Sequence, residues 1–101
     1  MKLVIVTVVK EFEKEIPELF KQANIDSFSE GAIDGYKNTN ALFRASNWFP
    51  SEKGGVQSSL LFSFTEEDKI EVLFGLIKTF NANLETTNPI RAVVVPVEKY
   101  I

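Results

Sequence analysis

Residues Leu3 to Val9, "LVIVTVV", form a nearly continuous run of apolar, mostly β-branched side chains. A run of this kind reads as a central strand covered on both faces. It constrains the fold more than any other stretch, because the rest of the chain must supply strands beside it and layers above and below it.

The segments that follow alternate between the helical and the extended period. In "KEFEKEIPELFKQANI", Ile16, Leu19, Phe20 and Ala23 fall at i, i+3, i+4 and i+7, one face of a helix. Pro17 is tolerated only in a first turn, so that helix is expected to begin at Glu15 or Ile16, with Phe12 in the strand-to-helix turn. Ser27 to Tyr36 reads as a strand weakened by Gly31 and Gly35 and suited to a sheet edge. From Val56 to Phe64 the side chains alternate. Val56, Ser58, Leu60, Phe62 and Phe64 share one face, against Gln57, Ser59, Leu61 and Ser63. The first set, richer in apolar bulk, is expected to face the core.

"TEED" supplies a helix start, with Thr65 as the cap, Asp68 three residues later, and an acidic first turn that suits the helix dipole. Leu73, Leu76, Ile77 and Phe80 then repeat at helical spacing. Asn81 to Pro89 is polar and loop-like, and Ile90 to Val97 is a last apolar strand with Pro96 near its end. The order is β-α-β-β-α-β, the ferredoxin-like pattern of a single α+β domain over residues 1–101. An antiparallel sheet with two helices on one face is expected, with a long loop between strands 2 and 3.

That loop is "NTNALFRASNWFPSEKGG", Asn38 to Gly55. Loops longer than about 12–15 residues without secondary structure of their own are uncommon in compact domains and are usually functional or disordered. Phe43, Trp48 and Phe49 carry large apolar area, and aromatics with Arg44 are the residue types that dominate interface hot spots. The competing reading packs those rings onto their own subunit or a neighbouring one. Arg44 and Lys53 are suited to an anionic ligand or an acidic partner.

Composition excludes several chemistries. The net charge of −3 offers no basic stripe for nucleic acid. Cysteine and histidine are both absent, which removes disulfides, thiolate metal sites, Ser-His-Asp and Cys-His nucleophile pairs and the commonest zinc ligand. Any metal would have to be a hard cation held by carboxylates and carbonyls, and neither a metal site nor a cofactor is assigned. Glu11, Glu13 and Glu15, like Glu66, Glu67 and Asp68, sit at helix starts where the dipole favours acids, so neither set reads as a catalytic carboxylate pair. Gly54-Gly55 lacks the Lys-Ser/Thr and helix of a phosphate loop. An enzyme, such as a small monooxygenase or phosphatase of ferredoxin-like fold, would need a nucleophile–base pair that the sequence does not display. The apolar start is too short for a signal peptide or membrane span, so a cytoplasmic protein not embedded in the membrane is expected.

The order and several segments resemble the PII-like superfamily of small trimeric signalling proteins and their structural cousins, the CutA proteins. "MKLVIVTVVKEF" resembles the first strand and turn, "ELFKQANIDSFSEGAIDGYK" the first helix and second strand, and "VVVPVEKYI" the fourth strand and its Pro-Val-Glu tail. Asn38–Gly55 then occupies the place of the effector-contacting T-loop. The resemblance implies a homotrimeric regulatory protein, not an enzyme, with a small anionic metabolite or nucleotide in the clefts between subunits. Lys37, Arg44 and Arg91 are its implied contacts, with Lys53 beside them. Phe43, Arg44, Trp48 and Phe49 would meet a protein partner, which could be a membrane transporter or efflux pump.

The chain departs from the family in three places. The family's glycine-rich phosphate loop corresponds here to "NANLETTNPIR", which has no glycine. No tyrosine lies between Asn38 and Gly55, and the chain stops at Ile101, before the family's C-terminal nucleotide-contacting segment. These departures point to a ligand other than the family's nucleotides, or to none. The alternative is a CutA-like trimer linked to divalent-metal tolerance, against which the lack of His and Cys counts for soft metals.

Overall fold

A computed structural model describes residues 1–36 and 55–101 of the chain. The valine-rich start forms strand β1 (Lys2–Val9) and passes through a short 3-10 helix (Lys10–Glu15) into helix α1 (Ile16–Gln22). Pro17 lies in the first turn of α1, where its missing N–H goes unused. Asn24 closes the helix in the left-handed region at φ 60°. Its N–H donates to the Lys21 carbonyl and that of Ile25 to the Phe20 carbonyl, a Schellman pair that satisfies two terminal carbonyls.

Strands β2 (Ser29–Tyr36) and β3 (Gly55–Thr65) follow, then helix α2 (Glu67–Ala82) and strand β4 (Arg91–Pro96). The four strands form one antiparallel sheet in the order β2-β3-β1-β4. This arrangement of sheet and helices is consistent with the expected ferredoxin-like fold. β1 is central, and β2, interrupted by Gly31 and Gly35, is an edge strand as its composition suggested.

The core lies between the sheet and the helices. Val4, Val6 and Val8 of β1 and Leu61 of β3 pack with Ile16, Leu19 and Phe20 of α1 and with Ile70, Leu73 and Ile77 of α2. Leu76 and Phe80, on the same helical stripe, are partly buried against this cluster, and Phe12 meets Phe80 edge-on at 6.0 Å. Phe20 and Phe28 pair likewise at 4.8 Å. Ser59 and Ser63 flank Leu61 on this side of β3 and are buried, yet both hydroxyls are satisfied. Ser59 Oγ donates to Glu13 Oε2 at 2.8 Å and Ser63 Oγ to the Ser27 carbonyl at 2.6 Å.

Three expectations are corrected. The face of β3 that enters the core is Ser59, Leu61 and Ser63, and the apolar-rich set of Val56, Leu60, Phe62 and Phe64 lies on the other side. Small serines let the helices approach the sheet, and their hydroxyls find partners there, so polarity did not keep them out of the core. β1 is accordingly buried on one face only: Leu3, Ile5, Thr7 and Val9 remain half-buried. Thr65 ends β3 and does not cap α2. The cap position is Glu66, with no side-chain cap bond, and Glu66 and Glu67 instead lie near the Met1 ammonium (3.8 Å) and Lys2 Nζ (4.0 Å).

Candidate functional site

The sheet face away from the helices is unusually apolar for an exposed surface. Register places Leu3 between Phe64 and Val95, Ile5 between Phe62 and Val93, and Thr7 between Leu60 and Arg91. Ile33 stands opposite Ser58, and Gly35 opposite Val56. Alternation along each strand thus puts an apolar stripe across β4, β1 and β3, and Arg91 is the one charged strand residue on this face. Phe64 is 52% exposed and Val93 54%. Phe62 and Phe64 meet edge-on at 6.3 Å, so the rings are ordered against each other. Soluble monomers rarely expose contiguous apolar patches beyond a few hundred Å².

At the Arg91 end this face becomes concave. A cavity of about 270 Å³ is lined by Thr7, Val9, Ile33, Val56, Ser58 and Arg91, and closed on one side by the loop residues Thr87, Asn88 and Pro89. Tyr36 also borders it, at the point where β2 leads into residues 37–54. The walls are mainly apolar, and Arg91 is exposed with no ion pair among the described residues.

The position of Arg91 follows from a local device. Asn81, near the C-terminus of α2, donates from Nδ2 to the Ile90 carbonyl at 2.8 Å and accepts from the Ile90 N–H at 2.9 Å. Its amide thereby behaves as a short strand partner for the buried Ile90 and fixes where β4 begins. Within the intervening loop, the Asn88 N–H donates to Thr86 Oγ1 at 3.0 Å. Asn and Thr side chains here do the work that glycines perform in other tight loops.

Of the residues singled out in the sequence, Arg91 is the one the structure describes, and it lines the cavity. Lys37, Phe43, Arg44, Trp48, Phe49 and Lys53 lie outside the described residues. Sequence reasoning missed Thr7, Ile33, Val56 and Ser58, because it assigned the outward face of β3 to the core. The signal was present in Gly31 and Gly35, which leave that side of β2 thinly covered. A second, more polar hollow lies on the helix side, between the 3-10 helix and β2, with Lys10, Glu13, Asp34 and Gln57 along it. Among the described residues no three Asp, Glu, His or Cys side chains gather as they would around a metal ion, and no helix is long and apolar enough to cross a membrane.

No family model matches the chain, and no curated protein does.

Proposed function

We propose that the chain is a PII-like regulatory protein and not an enzyme. It assembles as a homotrimer through the apolar sheet face, takes a small anion in the cleft at Arg91, and acts on a partner protein through the segment 38–55. The observation that carries this reading is the open sheet face, whose Phe62, Phe64, Val93 and Val95 are left in water by a lone subunit. At roughly 25 cal/mol per Å² of apolar surface, covering such a face is strongly favourable, and association is the direct way to cover it.

The number three comes from the sequence resemblance, as does the regulatory role. The cleft is placed by Arg91, which ends the apolar stripe beside a loop held by Asn81. In an assembly built on the stripe, this cleft borders the subunit contact. Occupancy there would bias the arrangement of neighbouring segments, the general logic of a ligand-driven switch. The transporter or enzyme on which it acts is identified by capture with segment 38–55 as bait.

Sedimentation equilibrium on the purified chain tests the assembly. The expected mass is three times 11.4 kDa, and Phe62→Ser with Phe64→Ser should bring it to that of one chain while leaving the far-ultraviolet dichroism of a folded α+β protein. A parent that stays monomeric at high concentration refutes the reading.

A further inference from the structure

We propose that the cleft at Arg91 selects small monocarboxylates with an apolar body, and excludes phosphates and nucleotides. The inference rests on the reading of this cleft as a ligand site and names the chemical class of the ligand.

The loop that would have to hold a phosphate has spent its donors. Phosphate cradles are made of successive free backbone N–H groups. Here the Asn88 N–H is engaged by Thr86 Oγ1, Pro89 has no N–H, and the Ile90 N–H is engaged by Asn81 Oδ1. The chain next to the cavity therefore offers no run of free amides. Charge gives the same answer. Among the described residues Arg91 is the one cation lining the cavity, against the several negative charges of a nucleoside polyphosphate. One guanidinium matches one carboxylate, which it can grip through two parallel N–H···O bonds.

Size and wall chemistry fix the rest of the ligand. About 270 Å³ lies just below the usual range of roughly 300–1,000 Å³ for small-molecule pockets. Val9, Ile33, Val56 and Pro89 provide apolar walls, which favour a hydrocarbon body over a sugar. Ser58 Oγ already donates to the Val56 carbonyl at 3.1 Å, so its hydroxyl proton is engaged within the strand. A dicarboxylate would leave its second charge against this apolar wall, unpaired and desolvated, which is costly.

The test is calorimetric titration of the full chain with benzoate and hexanoate, with benzamide and hexanamide as neutral controls, and with inorganic phosphate and ATP. The expected result is saturable binding of at least one carboxylate, at least tenfold weaker binding of its amide, and no binding of phosphate or ATP. Arg91→Ala should abolish carboxylate binding, and Arg91→Lys, which keeps the charge and loses the fork, should weaken it. Since Arg91 is exposed, both variants keep the fold, which circular dichroism verifies.

Equal binding of acid and amide, or undiminished binding by Arg91→Ala, overturns the proposal. Arg91-dependent binding of phosphate or ATP without carboxylate binding also overturns it, and leaves the cleft as a ligand site of another class. If none of these anions binds, both the ligand class and the cleft's sensing role fall, while the mass measured by sedimentation decides the assembly separately.

Discussion

The two faces of this sheet are built from the same four strands yet follow opposite rules. On the helix side, β3 contributes Ser59, Leu61 and Ser63, two polar residues around one leucine, and all are buried. On the other side it contributes Leu60, Phe62 and Phe64, a more apolar set, and the phenylalanines are exposed. Burial within one subunit is thus decided by where α1 and α2 sit, and hydrophobicity alone does not say which face they choose. A sheet whose greasier face is left open has a surface to be covered by something else.

The comparison is broken or upheld most sharply at two neighbouring positions. Leu61 is fully buried, so Leu61→Ala should cost about 2–5 kcal/mol through lost transfer energy and the cavity left behind. For a domain whose total stability is of the order of 5–15 kcal/mol, that is a large fraction. Phe62→Ala, one residue on, should act differently. If the proposed assembly covers this face, the effect of Phe62→Ala on urea unfolding should grow with protein concentration and shrink at high dilution to what its contact with Phe64 in the same chain contributes. Equal, concentration-independent losses at both sites would show that the two faces do not differ in kind.

A smaller effect is expected at Asn81, which ties the helix layer to the strand that carries Arg91 onto the open face. Asn81→Ala leaves the buried Ile90 with an unpaired N–H and carbonyl. Such losses run to about 1–3 kcal/mol per unsatisfied buried group. Chemical denaturation should register the loss, and amide exchange at Ile90 should accelerate more than at Val4 in the sheet centre. Unchanged exchange at Ile90 would mean that Asn81 does not anchor the strand.

Element order, the edge placement of β2, the start of α1 behind Pro17 and the apolar stripe of α2 were all legible in the sequence, because each rests on local periodicity or on proline and glycine chemistry. The facing of β3 was not. Period-2 alternation separates two faces and does not label them, and here the serine face is the inner one. The cap of α2 was missed for a related reason. Thr65 has a capping side chain, but β3 holds it opposite Lys2 in the ladder, so the cap position falls one residue later at Glu66. Of the candidate site, Arg91 was legible as a cation beside the last strand. The hollow around it was not, since Thr7, Ile33, Val56 and Ser58 come together only through strand register.

The smallest expected effect lies where β2 meets β3 beyond the reach of the helices, and where the helix-side face has to be covered by the strands themselves. Tyr36 pairs with Gly55 across the ladder, and its ring lies over the glycine. A Cβ on Gly55 would fall 2.9 Å from Tyr36 Cζ and 3.1 Å from Asp34 Cβ. Opposing terms then decide the sign of Gly55→Ala. Restricting the unfolded chain stabilises by about 0.4–1 kcal/mol where the backbone is compatible, as it is for a glycine without positive φ. Displacing the ring loses a cross-strand contact of about 0.2–1 kcal/mol and crowds Asp34 as well. The substitution should therefore be mildly destabilising in the parent and close to neutral in a Tyr36→Ala background, where only the Asp34 contact opposes the entropic gain. A double-mutant cycle in urea reads the difference directly as a coupling energy. A coupling of zero would mean that the exposed ring does not rest on the glycine.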